Sequence, residues 1–164
     1  MKLKNHFYYL FILAWIILDQ LSKYLIARSI SLYQVVTVIP GFFNLTRVHN
    51  RGAIFGFLSN SQYPAARILL NLGAVLALGI VTYYFFKTPA EMVLSRLSLS
   101  LIIGGAVGNI LDRLFRGYVI DFLDFYVGNF HWPFFNLADS CITVGVILLL
   151  FDLLRSKGRV SDPA

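Results

Sequence analysis

Four apolar runs, each long enough to cross a bilayer, alternate with polar punctuation along the chain. They cover about residues 7–27, 65–86, 92–115 and 137–154, and roughly 20 apolar residues are needed to cross the hydrocarbon core of a membrane. Between the first and second runs, over about residues 29–63, the helical pattern gives way to a strand-like one. Residues 35–39 are rich in β-branched side chains, Pro40-Gly41 is a turn signal, and residues 42–48 again favour a strand. This predicts a small β-hairpin or sheet outside the membrane, followed by a tight turn that Gly52 and Gly56 permit. Residues 117–135 are too polar for a further span, because Asp121, Asp124, Asn129, His131 and Pro133 interrupt them. Their aromatic residues suit a loop lying in the membrane interface. The expected fold class is an all-α integral membrane protein with four transmembrane helices, a small extramembrane β-region and an interfacial loop before the fourth span. Residues 1–164 are expected to form a single domain.

The polar residues inside the runs are few and regularly placed. Asp19 and Lys23 lie four apart near the end of the first run, on one helical face where they can pair. Asn71 in the second run is expected to hydrogen-bond to a neighbouring helix. In the third run, Gly104 and Gly108 form a small-xxx-small pattern that lets another helix approach closely. Gly105, Asn109 and Arg113 repeat on the adjacent stripe. Asn136 is a good N-cap for the fourth helix, and Asp139 falls three residues later, where a negative charge favours the helix dipole. The apolar run that follows Lys2 and Lys4 resembles a secretory leader, but Asp19-Gln20 follows it in place of small residues, so it is read as a retained span.

Composition agrees with a membrane setting. Of 164 residues, 58% are hydrophobic and only 13% charged, about half the charged fraction of soluble domains, and mean hydropathy is +0.72. The net charge of +6 is scattered between apolar runs, so anionic lipid and membrane topology explain it and nucleic acid is not an expected partner. Four spans put both termini on one side of the membrane. The basic residues do not say which, since Lys2, Lys4, Lys87, Arg96, Arg155, Lys157 and Arg159 on one side balance Lys23, Arg28, Arg47, Arg51, Arg67, Arg113 and Arg116 on the other. The one cysteine, Cys141, excludes an intrachain disulfide and sits in an apolar setting that suits a buried, inert thiol. No second His or Cys stands at ligand spacing from His131. No metal and no cofactor are expected.

Half of the chain's eight acidic residues, Asp112, Asp121, Asp124 and Asp139, crowd into residues 104–141. A carboxylate at membrane depth costs roughly 2.5–3.5 kcal/mol on insertion scales, so intramembrane acids default to a functional reading. A close carboxylate pair resists double ionisation. One member is then a base for water, and the other, protonated, a donor to a carbonyl oxygen. Asp121 and Asp139 are the candidate pair, with Asp139 as the initial base. For Asp139 simple helix capping is an equal competitor, and Asp124 is read as a solvated side chain. His6, His49 and His131 have no sequence context for a nucleophile triad. A proton-coupled carrier would spread polar residues through the depth of several spans, and a scaffold subunit would use the Gly104–Gly108 face for dimerisation. Both remain as alternatives at this point.

Five separated motifs, Asp19-Gln20-x-x-Lys23, Asn50-Arg51-Gly52-Ala53-x-Phe55, Gly105-x-x-Gly108-Asn109-x-x-Asp112-Arg113, Gly117-x-Val119-x-Asp121-Phe122 and Phe135-Asn136-x-Ala138-Asp139, resemble in order and spacing those of the bacterial lipoprotein signal peptidases (signal peptidase II). The resemblance implies an intramembrane aspartyl endopeptidase of the bacterial cytoplasmic membrane. Such an enzyme cleaves prolipoproteins before the cysteine that carries a diacylglyceryl group, and it is inhibited by globomycin. It further implies a catalytic dyad of Asp121 and Asp139, active-site polar residues Asn50, Asn109, Arg113 and Asn136, and supporting residues Asp19 and Lys23. Of the polar residues, Asn50 and Arg113 would hold the substrate backbone. Asp112 is expected to orient Arg113. By the same resemblance both termini are cytoplasmic and the site faces the outer leaflet.

Overall fold

The third apolar run forms the helix on which the others are assembled. The computed structural model describes residues 5–51 and 64–160, with the backbone alone at 64–67 and 156–160. Its elements are α1 (Asn5–Ser29), β1 (Val35–Ile39), β2 (Phe43–Asn50), α2 (Pro64–Lys87), α3 (Val93–Arg116), β3 (Val119–Val127), β4 (Phe130–His131) and α4 (Leu137–Val160). All four helices are long and apolar enough to cross a membrane. α3 packs against the other three, α1 also touches α4, and α2 rests mainly on α3, meeting α1 through the rings of Phe85, Tyr8 and Tyr9.

Glycines let α3 serve as the hub. A Cβ at Gly104 would lie 3.2 Å from the Trp15 Cβ of α1, and one at Gly108 would lie 2.5 Å from the Asp19 carboxylate. A Cβ at Gly105 would strike the Ala138 carbonyl and lie 2.9 Å from Ile142 in α4. The small-residue stripe is thus a surface of close helix contact within the chain, and the carboxylate of Asp19 enters the space that a side chain at 108 would fill. At the opposite end of α3, Arg96 is buried with its guanidinium 4.6 Å from the Tyr8 ring centroid and 4.9 Å from that of Phe85. It donates from Nη1 to Asn5 Oδ1 at 3.0 Å. Aromatic faces attract a desolvated cation, and Tyr8 and Phe85 join Leu99 and Ile103 in the apolar core.

Helix α3 stops at Gly117, whose φ of +76° is the left-handed conformation of a helix C-cap, with its N–H on the Arg113 carbonyl at 3.2 Å. The chain then enters β3 directly. Here the structure corrects the expected interfacial loop at residues 117–135: β3 and β4 extend the hairpin into a four-stranded antiparallel sheet of order β1-β2-β3-β4. The polar residues exclude a membrane span here, but not a strand. Between those polar positions Val119, Ile120, Phe122, Phe125 and Tyr126 favour a strand, and pairing with the distant β2 decides the matter. The β2–β3 register slips between Leu45 and Val48, a bulge in β2. Two further expectations change. Asn71 is exposed and makes no interhelical hydrogen bond among the described residues, because α2 packs on one side only. Asp124 is buried rather than solvated. The turn expected at Gly52 and Gly56, with the rest of 52–63, lies outside the described residues, as do Lys2 and Lys4.

The glycine contacts lead to a stability prediction. Gly105→Ala drives a methyl into the backbone of α4 and should destabilise the bundle by about 1–3 kcal/mol. Gly79→Ala meets open space and should leave stability unchanged or raised, by up to about 1 kcal/mol from helix propensity. Unfolding of the two variants in detergent measures this, and equal effects would remove the close-contact role assigned to Gly105.

Candidate active site

The site forms where the far end of α1, the last turns of α3, the start of α4 and the strands β2 and β3 converge. At its base is Lys23, wholly buried on α1. Its ammonium donates to Asp19 Oδ2 at 2.8 Å and Asn109 Oδ1 at 3.0 Å, and lies 3.1 Å from Asp112 Oδ2. Those three acceptors match the three donors of an ammonium group. Arg116 pairs with Asp112 one helical turn earlier and donates to Gln20 Oε1 at 3.0 Å. Gln20 in turn donates to Asp19, Asp112 and the Gly108 carbonyl. Two carboxylates thus face two cations, which is how buried charge becomes tolerable.

Both carboxylates of this base also hold backbone. Asp19 Oδ1 accepts the Ala138 N–H at 3.0 Å, satisfying an orphan donor in the first turn of α4. Asp112 Oδ2 accepts the Ile120 N–H at 3.2 Å, fixing β3 next to Asp121. Asp112 therefore orients Lys23, Arg116 and β3, and not Arg113 as the sequence suggested. Arg116 was missed by sequence reasoning, although its spacing from Asp112 matches an i,i+4 pair. Gln20 stood inside a recognised motif without an assigned role.

Above the base, Asn109 and Asn136 connect the candidate dyad. Asn109 donates from Nδ2 to Asp139 Oδ1 at 2.7 Å, while its Oδ1 accepts from Lys23 and, at 3.2 Å, from Asn136. Asn136 Nδ2 also donates to Asp121 Oδ1 at 2.7 Å. Around the helix start, Asn136 Oδ1 accepts the Asp139 N–H at 3.0 Å and Asp139 Oδ2 accepts the Asn136 N–H at 3.2 Å. This reciprocal arrangement is that of a capping box. Asp139 is therefore a helix cap, and its other oxygen is held by Asn109. The capping explanation and the site explanation describe the same side chain.

Asp121 is buried on β3, with its second oxygen accepting from Asn50 Nδ2 at 2.9 Å. Burial, and then the nearby charge of Asp139, push its carboxyl up from 3.8 to about 7, against the opposing hydrogen bonds from Asn50 and Asn136. A carboxyl raised to that range is part-protonated near neutral pH. His49, beside Asn50, is stacked on Tyr118 at 3.7 Å between centroids. Burial and then the charges of Arg47 and Arg51 hold it below its ordinary 6.5. The structure thus brings together Asp19, Lys23, Asn50, Asn109, Asp112, Asp121, Asn136 and Asp139. Arg113 stands apart from this network. Among the described residues its side chain has no hydrogen-bond or ion-pair partner, and it lines a cleft between α2 and α3 with Asn71, Val75 and Ile110.

Comparison with known proteins places the chain among related sequences. A family model described as signal peptidase (SPase) II matches residues 11–155. A lipoprotein signal peptidase of Burkholderia mallei is 49% identical over 142 residues, covering 85% of this chain and 82% of that protein. That of Geobacter sulfurreducens is 45% identical, covering 90% and 91%. A solved structure described as a bacterial membrane enzyme, determined by the in meso method at 2.3 Å, superposes with a TM-score of 0.85 at 31% identity, covering 99% of this chain and 96% of the other. A second of the same description, at 1.9 Å, gives 0.78 at 33% identity, with coverage of 93% and 96%.

The coupling around Asp121 carries a definite sign. Because its carboxyl is raised in the fold, its contribution to stability is complete below 3.8 and is lost as pH rises through about 7. Its carboxyl stretch, followed by isotope-edited infrared titration, should show a midpoint near 7. Asp139→Asn should lower that midpoint by removing a like charge, and Asn50→Ala should raise it by removing a hydrogen bond to the ionised form. A wild-type midpoint near 4 would contradict the arrangement.

Proposed function

The chain belongs to the signal peptidase II family, and we propose that it cleaves prolipoproteins before a diacylglyceryl-modified cysteine with Asp121 and Asp139 as its catalytic carboxylates. The observation that carries the reading is Asn136, which holds one oxygen of each aspartate at the polar end of a membrane-spanning bundle. The chain is a multi-pass membrane protein, and we infer that both termini are cytoplasmic and that the site faces the outer leaflet of the bacterial cytoplasmic membrane. A lipid-anchored cysteine holds its scissile bond at a fixed depth near the headgroups, the depth at which span ends lie.

In this mechanism ionised Asp139 takes a proton from a water whose oxygen attacks the scissile carbonyl carbon. Protonated Asp121 donates to the carbonyl oxygen, and a neutral tetrahedral diol forms. Collapse returns a proton to Asp121 and passes the proton held by Asp139 to the departing amide nitrogen as the C–N bond breaks. Asn109 and Asn136 fix the base, so little reorganisation accompanies the step. Asn50 orients Asp121. With Arg113, in the last turn of α3, it also holds the substrate backbone, and Asp19, Lys23 and Asp112 support the site from below. A cyclic peptide such as globomycin occupies the same space and competes with substrate.

Purified protein incubated with a diacylglyceryl-modified prolipoprotein tests this directly. Asp121→Asn and Asp139→Asn should each lower turnover by about 10²–10⁴-fold, and globomycin should raise the apparent KM of the wild type. A folded variant of either kind that cleaves at near wild-type rate would exclude that residue from the dyad.

A further inference from the structure

Of the four aspartates crowded into residues 104–141, Asp124 alone takes no part in the site, yet it is buried to 2% exposure. A carboxylate so placed needs partners, and it has them on both flanking strands. Oδ2 accepts from Asn44 Nδ2 at 2.8 Å, on β2 directly opposite in register. Oδ1 lies 2.7 Å from Nδ1 of His131 on β4. The imidazole is itself stacked on Tyr126, at 5.1 Å and 11°, and the Tyr126 hydroxyl accepts the Gly41 N–H at 2.9 Å.

We propose that Asp124 and His131 form a clasp that sets the geometry of the dyad, a role that rests on the cleavage reading above. Both chain directions from the clasp lead to the site without a free loop. Along β3, Asp121 is three residues away, about 10 Å at strand rise. Beyond His131 the chain runs back along β3 to Asn136. It is tied there by Trp132 N–H to the Phe125 carbonyl at 2.8 Å, and by Phe122 and Leu123 N–H to the Phe135 carbonyl at 3.0 and 2.9 Å. Strand β4 has only two residues and two register pairs, too few for backbone pairing alone to hold it. A side-chain bond between the half-exposed imidazole and the buried Asp124 carboxylate supplies the missing hold. Opening at His131 would displace Asn136, and with it both catalytic carboxylates. Neither clasp residue touches the reacting atoms, so both are positioning residues.

The test uses full-length protein in detergent and the same prolipoprotein, with Asp124→Ala, His131→Ala, their double variant and His131→Gln. Each alanine variant should lower kcat by about tenfold or more with KM within about twofold, the signature of misplaced catalytic groups. The double variant should be no worse than the singles, because the pair acts as one unit. His131→Gln retains an N–H donor and should stay within about threefold of wild type. The Asp121 infrared midpoint, which needs no substrate, should shift in every alanine variant. Unchanged kcat and an unchanged midpoint in folded variants would overturn the clasp, even if thermal stability falls. If wild type itself fails to cleave, the function falls and the midpoint alone decides the clasp. Should Asp124→Ala not fold, His131→Ala on the half-exposed side of the pair decides it.

Discussion

An ammonium group buried without exposure, that of Lys23, is the constraint on which the rest of the site depends. In a low-dielectric setting it cannot stand alone, and its demand for three acceptors draws Asp19, Asp112 and Asn109 to one point. Those acceptors come from two helices and pass the constraint on to other elements. Asp19 takes hold of the first turn of α4, Asp112 of the start of β3, and Asn109 of the carboxylate of Asp139. One charge thereby fixes the mutual placement of α1, α3, α4 and the sheet. Rearrangement of any one of them leaves a buried charge unmatched.

Above this base the proposed chemistry depends on neutral amides. Asn136 and Asn109 donate to the aspartates without cancelling their charge, so the two carboxylates continue to repel each other and one is held near neutrality. A cation at either position would stabilise both as ions and remove the acid member. The ion pairs are kept one layer deeper, where they provide position, and the amides are placed where proton exchange must remain possible.

Much of this was legible in the sequence, for reasons that differ by element. The spans could be read because apolar length is a local property. The inward stripe of α3 could be read because helical spacing places Gly104, Gly108, Gly105 and Asn109 on adjoining faces, and the structure puts those glycines under α1 and α4. Arg113 continues the same four-residue repeat, yet lines the α2 cleft, since spacing fixes a side chain's face but not its neighbour. Strand β3 is not legible as a strand because its partner β2 lies about 70 to 80 residues earlier, and such pairing leaves no local pattern. The partners of Asp124 were hidden for the same reason: Asn44 is brought to it by sheet register, and His131 by the return of β4. For Asp139 the two local explanations were posed as rivals, whereas the structure satisfies both with different oxygen atoms.

The aromatic seat of Arg96 has a consequence for the membrane as a ruler. Arg96 and Arg116 lie near opposite ends of α3, separated by about 20 residues and so by roughly 30 Å of helix rise, the thickness of the hydrocarbon core. With a guanidinium clamped at each boundary, piston motion of this helix by even one turn would carry a cation into the acyl chains. Asn109, between them, therefore keeps a fixed distance from both cations, and so does the Asp139 carboxylate to which it donates. On the proposed cleavage reading, the depth at which a bond is cut is gauged by two arginines that take no part in cutting it.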